Sequence, residues 1–338
     1  MKKSNLSIAI KTILGTLAAA GSGLVLAQDP APALEEVVVF GQARTFANSE
    51  ATDEMLKQVS SASSVLGAID YIPGVLINEG DAFGGDDWST TVSGGAKANR
   101  YIDTENLGGV DVVQGTSDIA SWSHEALGGS MNFRTIDPGR ESGLTASTTL
   151  GDNDAKKLFM RYNTGEIFTN TYAWVSLSSS SIKSWIDQSG ESTRDHFAAK
   201  LKGYYDAFEL TGYLSYDDTA EDNYQRITPQ EFLEDPTWDR LTSEWTGVPY
   251  VDQLYRRGWS TLRKNTLGYL RADFKVSNID FSTSVYYHDN SGRGDWIPQY
   301  IANVRDDGAG NPNSELLSGN TVLGGSPLGI ITFVDATG

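Results

Sequence analysis

Through much of the second half of the chain, apolar and polar residues alternate with a period of two. Phe197, Ala199, Leu201, Gly203 and Tyr205 alternate with His196, Ala198, Lys200, Lys202 and Tyr204. Phe208 to Tyr216, Gly268 to Val276 and Ile279 to Tyr287 repeat the pattern, each pairing one apolar face with a polar or charged one. Segments of about ten residues with this alternation are what a membrane-crossing β-strand requires. A soluble sandwich shows similar alternation. The spacing predicts about seven strands, near 143–150, 156–164, 171–181, 194–205, 207–217, 265–276 and 279–289. Tight turns are expected at Asp206-Ala207 and Ser277-Asn278, whereas the connection from Asp218 to Lys264 is long. Short turns alternating with long loops mark transmembrane barrels. Tyr204, Tyr205, Tyr286 and Tyr287 are candidates for interfacial aromatic girdles.

The first half is patterned differently. Residues 1–27 read as a secretory signal: Lys2 and Lys3, a largely apolar stretch from Ile8 to Leu26, and Val25-Leu26-Ala27 as a cleavage site. Asp29 to Leu34 is a Pro/Ala linker. Glu35-Glu36-Val37-Val38-Val39 follows, which is either a first core strand or a strand awaiting the sheet edge of a partner. Met55, Leu56 and Val59 suit a short amphipathic helix. Ser63 or Ser64 caps a second, with Val65, Leu66 and Ile69 on its apolar face and Pro73-Gly74 as its stop. Short strands separated by glycine turns complete a small mixed α/β domain over residues 49–138.

Charge and chemistry narrow the function. With 26 basic and 44 acidic residues the formal net charge is −18, which argues against nucleic-acid binding. The absence of cysteine excludes disulfides and thiolate metal sites. His124, His196 and His288 form no H-E-x-x-H motif, and no nucleophile elbow or phosphate-binding loop follows the signal. No catalytic residue, metal site or cofactor is therefore expected, and the chain is not read as an enzyme. Asp152-Asn153-Asp154 and Asp306-Asp307-Gly308 are better read as turns than as calcium loops.

Four segments in order resemble the TonB-dependent outer-membrane receptors. Glu35 to Val39 is similar to the family's TonB box. Val65 to Val75 is similar to the helix leading into the plug's Pro-Gly-Val turn, and Glu105 to Ser117 and Ala126 to Thr135 are similar to two later plug elements. The resemblance implies an α+β plug domain followed by antiparallel transmembrane β-barrel strands, belonging to an incomplete 22-stranded barrel. The implied division is 1–27 signal peptide, 28–48 TonB box and linker, 49–138 plug, and 139–338 the N-terminal part of the barrel. It implies outer-membrane localisation and, as partners, TonB at Glu35, Glu36, Val37, Val38 and Val39, outer-membrane lipid, and a ferric siderophore as transported ligand. Asp81, Asp86, Asp87 and Trp88, in an acidic glycine-rich loop at the plug apex, are candidate ligand contacts. Carbohydrate or cobalamin uptake, a non-transporting exported binding protein and a gene remnant stand as alternatives. Two departures are visible. Ser93-Gly94-Gly95 stands where the family usually has an Arg-Gly pair, and the plug is expected to be shortened. Twenty-two strands of ~10 residues need roughly 220 residues for the spans alone, more than follow Leu150, so a partial receptor is expected.

Overall fold

The computed structural model describes residues 48–60, 64–73, 75, 100–115, 129–184, 186, 190–222, 228–238, 241, 243–245, 255–258, 260–294, 305–306 and 314–315. They form a small three-stranded body and a seven-stranded antiparallel sheet. A two-residue ladder joins Arg305–Asp306 to Ser314–Glu315.

In the small body, β1 (Asn48–Thr52), β2 (Leu107–Gln114) and β3 (Gly129–Thr135) pair antiparallel in that order. β1 falls where the apolar pattern predicts only a linker running into a helix. Its ladder to β2, Ala51 opposite Val110, comes from a partner some sixty residues away, and Ala51 is its one fully buried apolar residue. Helix α1 (Asp53–Leu56) is a single turn, capped by the Thr52 hydroxyl, which accepts from the Met55 N–H. Ser64 caps the next segment as expected, its Oγ accepting from Leu66 and Gly67, but a 3-10 turn over Gly67–Ile69 replaces the expected α-helix. With Gly67 inside it and Pro73 close behind, the segment is too short to propagate an α-helix. Val65, Ala68, Ile69 and Ile72 nevertheless reach the core, packing with Leu56, Tyr101, Ile102, Leu107, Val110 and Val112.

The large sheet is an up-and-down meander of sequential strands: β4 (Ser142–Leu150), β5 (Lys156–Phe168), β6 (Thr171–Lys183), β7 (Glu191–Tyr205), β8 (Phe208–Asp222), β9 (Ser260–Val276) and β10 (Ile279–Gly294). The expected turns at 206–207 and 277–278 are present, and Ser277 takes the left-handed conformation. Asp152-Asn153-Asp154 is a tight turn with Asn153 and Asp154 both left-handed, a backbone state that Asn and Asp tolerate best among non-glycine residues. β8 and β9 are longer than the ten residues the alternation marks. Their register continues from Phe208 opposite Phe274 to Asp222 opposite Ser260, because ladder bonds persist after the apolar face has ended. α2 (Pro229–Glu234), with a complete capping box from Thr228 and Glu231, lies in the long connection.

The alternation sorts the sheet into two faces. The inner face, turned to the small body, carries Lys157, Arg161, Ser176, Ser178, Arg194, His196, Lys200, Ser215 and Asp217. The outer face carries Tyr162, Val175, Leu177, Phe197, Leu214, Leu270 and Val285. The charged face is the buried one, and Val175, Leu214, Leu270 and Val285 are 42–68% exposed. This inverts a soluble protein, whose large exposed patches are polar. Tyr204 and Tyr286 do not share a girdle with Tyr205 and Tyr287, because neighbouring residues in a strand point to opposite faces. At the hairpin end the outer face instead gathers Tyr205, Phe208, Phe274 and Phe281, with Tyr205–Phe208 ring centroids 4.8 Å apart and Phe274–Phe281 5.5 Å apart. From Phe274 to Thr266 the apolar band runs eight residues, about 27 Å along the strand. At a ~40° tilt this is about 20 Å of height, close to the ~25 Å apolar belt of a membrane barrel.

Candidate functional site: the contact between the small body and the polar face

The segment 101–107 leads into β2 and lies against the inner faces of β5 to β8. Asp103, fully buried, is its centre. Its Oδ1 accepts from Arg194 Nη1 at 2.8 Å, and its Oδ2 from the Ser178 hydroxyl at 2.8 Å. Arg194 also donates through Nε to Asp217 Oδ1 at 2.6 Å, and His196 Nδ1 lies 3.0 Å from the same oxygen. Thr219 donates to the other oxygen of Asp217 at 2.7 Å. Strand register assembles this group: Ser178 faces His196, His196 faces Asp217, and Arg194 lies one inward position further along β7. The small body thus places one buried carboxylate on a guanidinium held from below by a second.

A second set lies alongside. Glu105 Oε2 accepts from Lys157 Nζ at 2.7 Å, the Glu105 carbonyl from Arg161 at 2.8 Å, and Asn106 donates to Ser176 Oγ at 2.8 Å. Further on, Trp174 donates its indole N–H to the Ile136 carbonyl at 3.1 Å, and Lys200 donates to the Thr135 carbonyl and pairs with Asp137, both at 2.8 Å. The Tyr213 hydroxyl donates to the Tyr101 carbonyl, and the Tyr101 hydroxyl lies 2.6 Å from His288 Nε2. Contacts to five strands, β5 to β8 and β10, fix the body's position on the sheet.

Burial alone would raise the Asp103 carboxyl, but the charges of His196, Arg194 and Lys157 and the Ser178 hydroxyl hold it well below the ordinary carboxylate range. Glu105 is shifted the other way: burial, reinforced by the charge of Asp103, outweighs the attraction of Lys157. Asp137, also pushed up by burial, ends below its ordinary value because Lys200 and Lys202 both bond to it. In the fully buried Asp103–Arg194–Asp217 group, removing the guanidinium leaves uncompensated charge and costs about 3–5 kcal/mol.

Glu35, Glu36, Val37, Val38, Val39, Asp81, Asp86, Asp87, Trp88 and His124 lie outside the described residues. His196 and His288 face inward, as their polar strand positions imply. Among the described residues no group of three or more His, Asp, Glu or Cys is placed to hold a metal ion, and no helix is long and apolar enough to cross a membrane. Trp238 and Trp245 in the long connection are exposed, and the Trp245 ring packs edge-on against Tyr255 with centroids 5.3 Å apart. Sequence reasoning did not single out Asp103, Glu105, Arg194 or Asp217. Its available signal was charge at inward positions of strands whose other face is apolar, such as Arg194 and Asp217.

An antiparallel meander with an apolar outer face and a folded body pinned to its polar face is the arrangement of a wall carrying an insert. Solved structures of similar fold include the following three. The siderophore receptor PirA from Acinetobacter baumannii is 12% identical over 72% of this chain and 40% of its own, with a TM-score of 0.53. The ferric citrate transporter FecA in its unliganded form is 15% identical over 74% and 41%, with a TM-score of 0.54. The FpvAI–pyocin S2 complex gives 12% identity over 75% and 35%, with a TM-score of 0.53. At these identities the likeness is one of fold, and the chain spans well under half the length of those proteins. No family model and no curated protein matches the chain.

Proposed function

We propose that the chain forms the plug and leading barrel strands of a TonB-dependent outer-membrane receptor for a ferric siderophore. The observation that carries this reading is the inverted sheet: apolar residues exposed on one face, and buried ion pairs on the other holding a separate body in place. The likeness in fold to a siderophore receptor and a ferric citrate transporter supports the choice of cargo. In this reading the small body is the plug, and residues 35–39 are the strand that TonB pulls. Polar contacts suit a plug that must move, because each broken pair finds water as the plug shifts, whereas an apolar seal would favour a permanent seat.

The test is Val38→Pro in a strain whose ferric-siderophore uptake depends on the gene. Proline removes the ladder donor that strand pairing with TonB needs. Uptake is expected to stop while ligand binding at the cell surface persists. Uptake at the unaltered rate would overturn the assignment.

A further inference from the structure

Three buried side chains of the inner face are not satisfied by the small body above them. His196 and Ser215 are fully buried, and Asn265 is 1% exposed. His196 Nε2, Ser215 Oγ and both side-chain polar atoms of Asn265 have no hydrogen-bond partner among the described residues. The sheet makes them neighbours. His196 of β7 lies opposite Asp217 of β8, Asp217 lies opposite Asn265 of β9, and Ser215 is one inward position along β8. The groups between them are already engaged: Asp217 accepts from Arg194 and Thr219, and Ser178 donates to Asp103.

The row that holds Ser215 is built from short side chains. Across β6, β7 and β8 it reads Ser176, Ala198 and Ser215, all buried, whereas the next inward row towards the hairpin end reads Trp174, Lys200 and Tyr213. Trp174 and Tyr213 pack against Ala198 and wall off that side. The segment 101–106 closes the top. Its Tyr101 carbonyl accepts from Tyr213, its Asn106 donates to Ser176, and its Asp103 accepts from Ser178 and Arg194. A roof pinned on both sides of a short row leaves room at its centre, beside Ser215.

The occupant follows from hydrogen-bonding capacity. His196 Nδ1 lies 3.0 Å from Asp217 Oδ1, which only accepts, and 3.2 Å from Arg194 Nη2, which only donates. Nε2 is therefore an acceptor in one tautomer and a donor in the other. Asn265 and Ser215 each offer both donor and acceptor. An anion would leave the acceptors unmet, and among the described residues no group of His, Asp and Glu is placed to hold a metal ion. Water meets both needs. His196 and Asn265 stand two strands apart, about 10 Å between backbones, beyond the ~6 Å that one water bridges. We propose that at least two ordered waters are sealed beneath residues 101–106, held by His196 Nε2, Ser215 Oγ and the Asn265 amide. Their role rests on the receptor reading above: they stand beside the Asp103–Arg194 pair and hydrate it from within as the body lifts.

The test is X-ray radiolysis of the full chain in phosphatidylethanolamine/phosphatidylglycerol vesicles made in oxygen-18 water, with side-chain labelling read by peptide mass spectrometry and insertion scored by resistance to alkaline extraction. Bound water turns the side chains it touches into targets, buried or not. His196 is expected to label within about fivefold of exposed His288, while Phe159, fully buried under the body, stays unlabelled. Asn265→Leu, which keeps the size and removes the hydrogen bonds, is expected to lower His196 labelling about fivefold, and Ser215→Ala about twofold. An unlabelled His196, equal labelling in both variants, or Phe159 labelled along with His196 (water entering by opening of the body) overturns the proposal and leaves the receptor reading intact. Failure to insert overturns the receptor reading and the role in release, whereas His196 labelled beside an unlabelled Phe159 upholds the water site itself.

Discussion

The two faces of the seven-stranded sheet are made by the same strands, residue by residue, yet hold their neighbours by opposite means. The outer face presents Val175, Leu214, Leu270 and Val285 with no protein over them among the described residues. The inner face buries Arg194, Asp217, His196 and Lys200 and pairs them with Asp103, Thr135, Asp137 and one another, leaving only His196 Nε2 of this group without a partner among the described residues. Burial on the outer side is non-directional and tolerates any apolar neighbour. Burial on the inner side is directional, because each charge needs a partner at hydrogen-bond distance. The sheet can therefore face lipid on one side and carry a uniquely placed body on the other.

The largest expected effect breaks the inner side. Arg194→Met strands Asp103 and Asp217 as buried charges without their guanidinium, at a cost of about 3–5 kcal/mol. Hydrogen exchange should show protection lost across residues 101–107, with the outer strands' insertion unaltered. Equal protection in the variant would mean that the pairs do not hold the body.

A smaller effect tests the outer side. Val175→Arg puts a charge in the apolar band and should weaken folding into vesicles by about 2–4 kcal/mol. At an exposed site on a water-soluble protein the same change stays within about 0.5 kcal/mol. Urea titration of the vesicle-inserted chain separates the two outcomes.

The smallest effect sharpens the inner side through pH. Asp103 has a folded pKa below its unfolded value of about 3.9. The stability it contributes is complete above about pH 5 and is lost as pH falls through 3.9 towards the folded value. Glu105, with a raised pKa, has the opposite sign: its contribution is greatest when protonated and declines as pH rises through about 4.3. Asp103→Asn should flatten the acid limb of the stability profile, while Glu105→Gln should raise its neutral limb slightly. Identical acid limbs in the wild type and Asp103→Asn would remove Asp103 as the group responsible.

The strands were legible because alternation is local: each face, the turns at 206–207 and 277–278, and the inward placement of His196 can be read from neighbours in sequence. The cap at Ser64 was legible for the same reason. The strand at Asn48–Thr52 was not, because its pairing with Leu107–Gln114 depends on a distant segment, and its own residues are mostly polar. The pairs of Asp103 with Arg194 and of Glu105 with Lys157 were hidden similarly, each joining residues more than fifty positions apart. Grouping Tyr204 with Tyr205 failed on simple parity.

The most direct measurement uses the absence of cysteine in the chain. Single cysteines at Val175, Leu270 and Ser176 would carry spin labels in the vesicle-inserted protein, with collision rates read for oxygen and for a water-soluble nickel chelate. Labels at 175 and 270 are expected to meet oxygen freely and the chelate hardly at all, and the label at 176, beneath Asn106, to meet neither. Free access of the chelate to 175 and 270 would place the outer face in water and contradict the account.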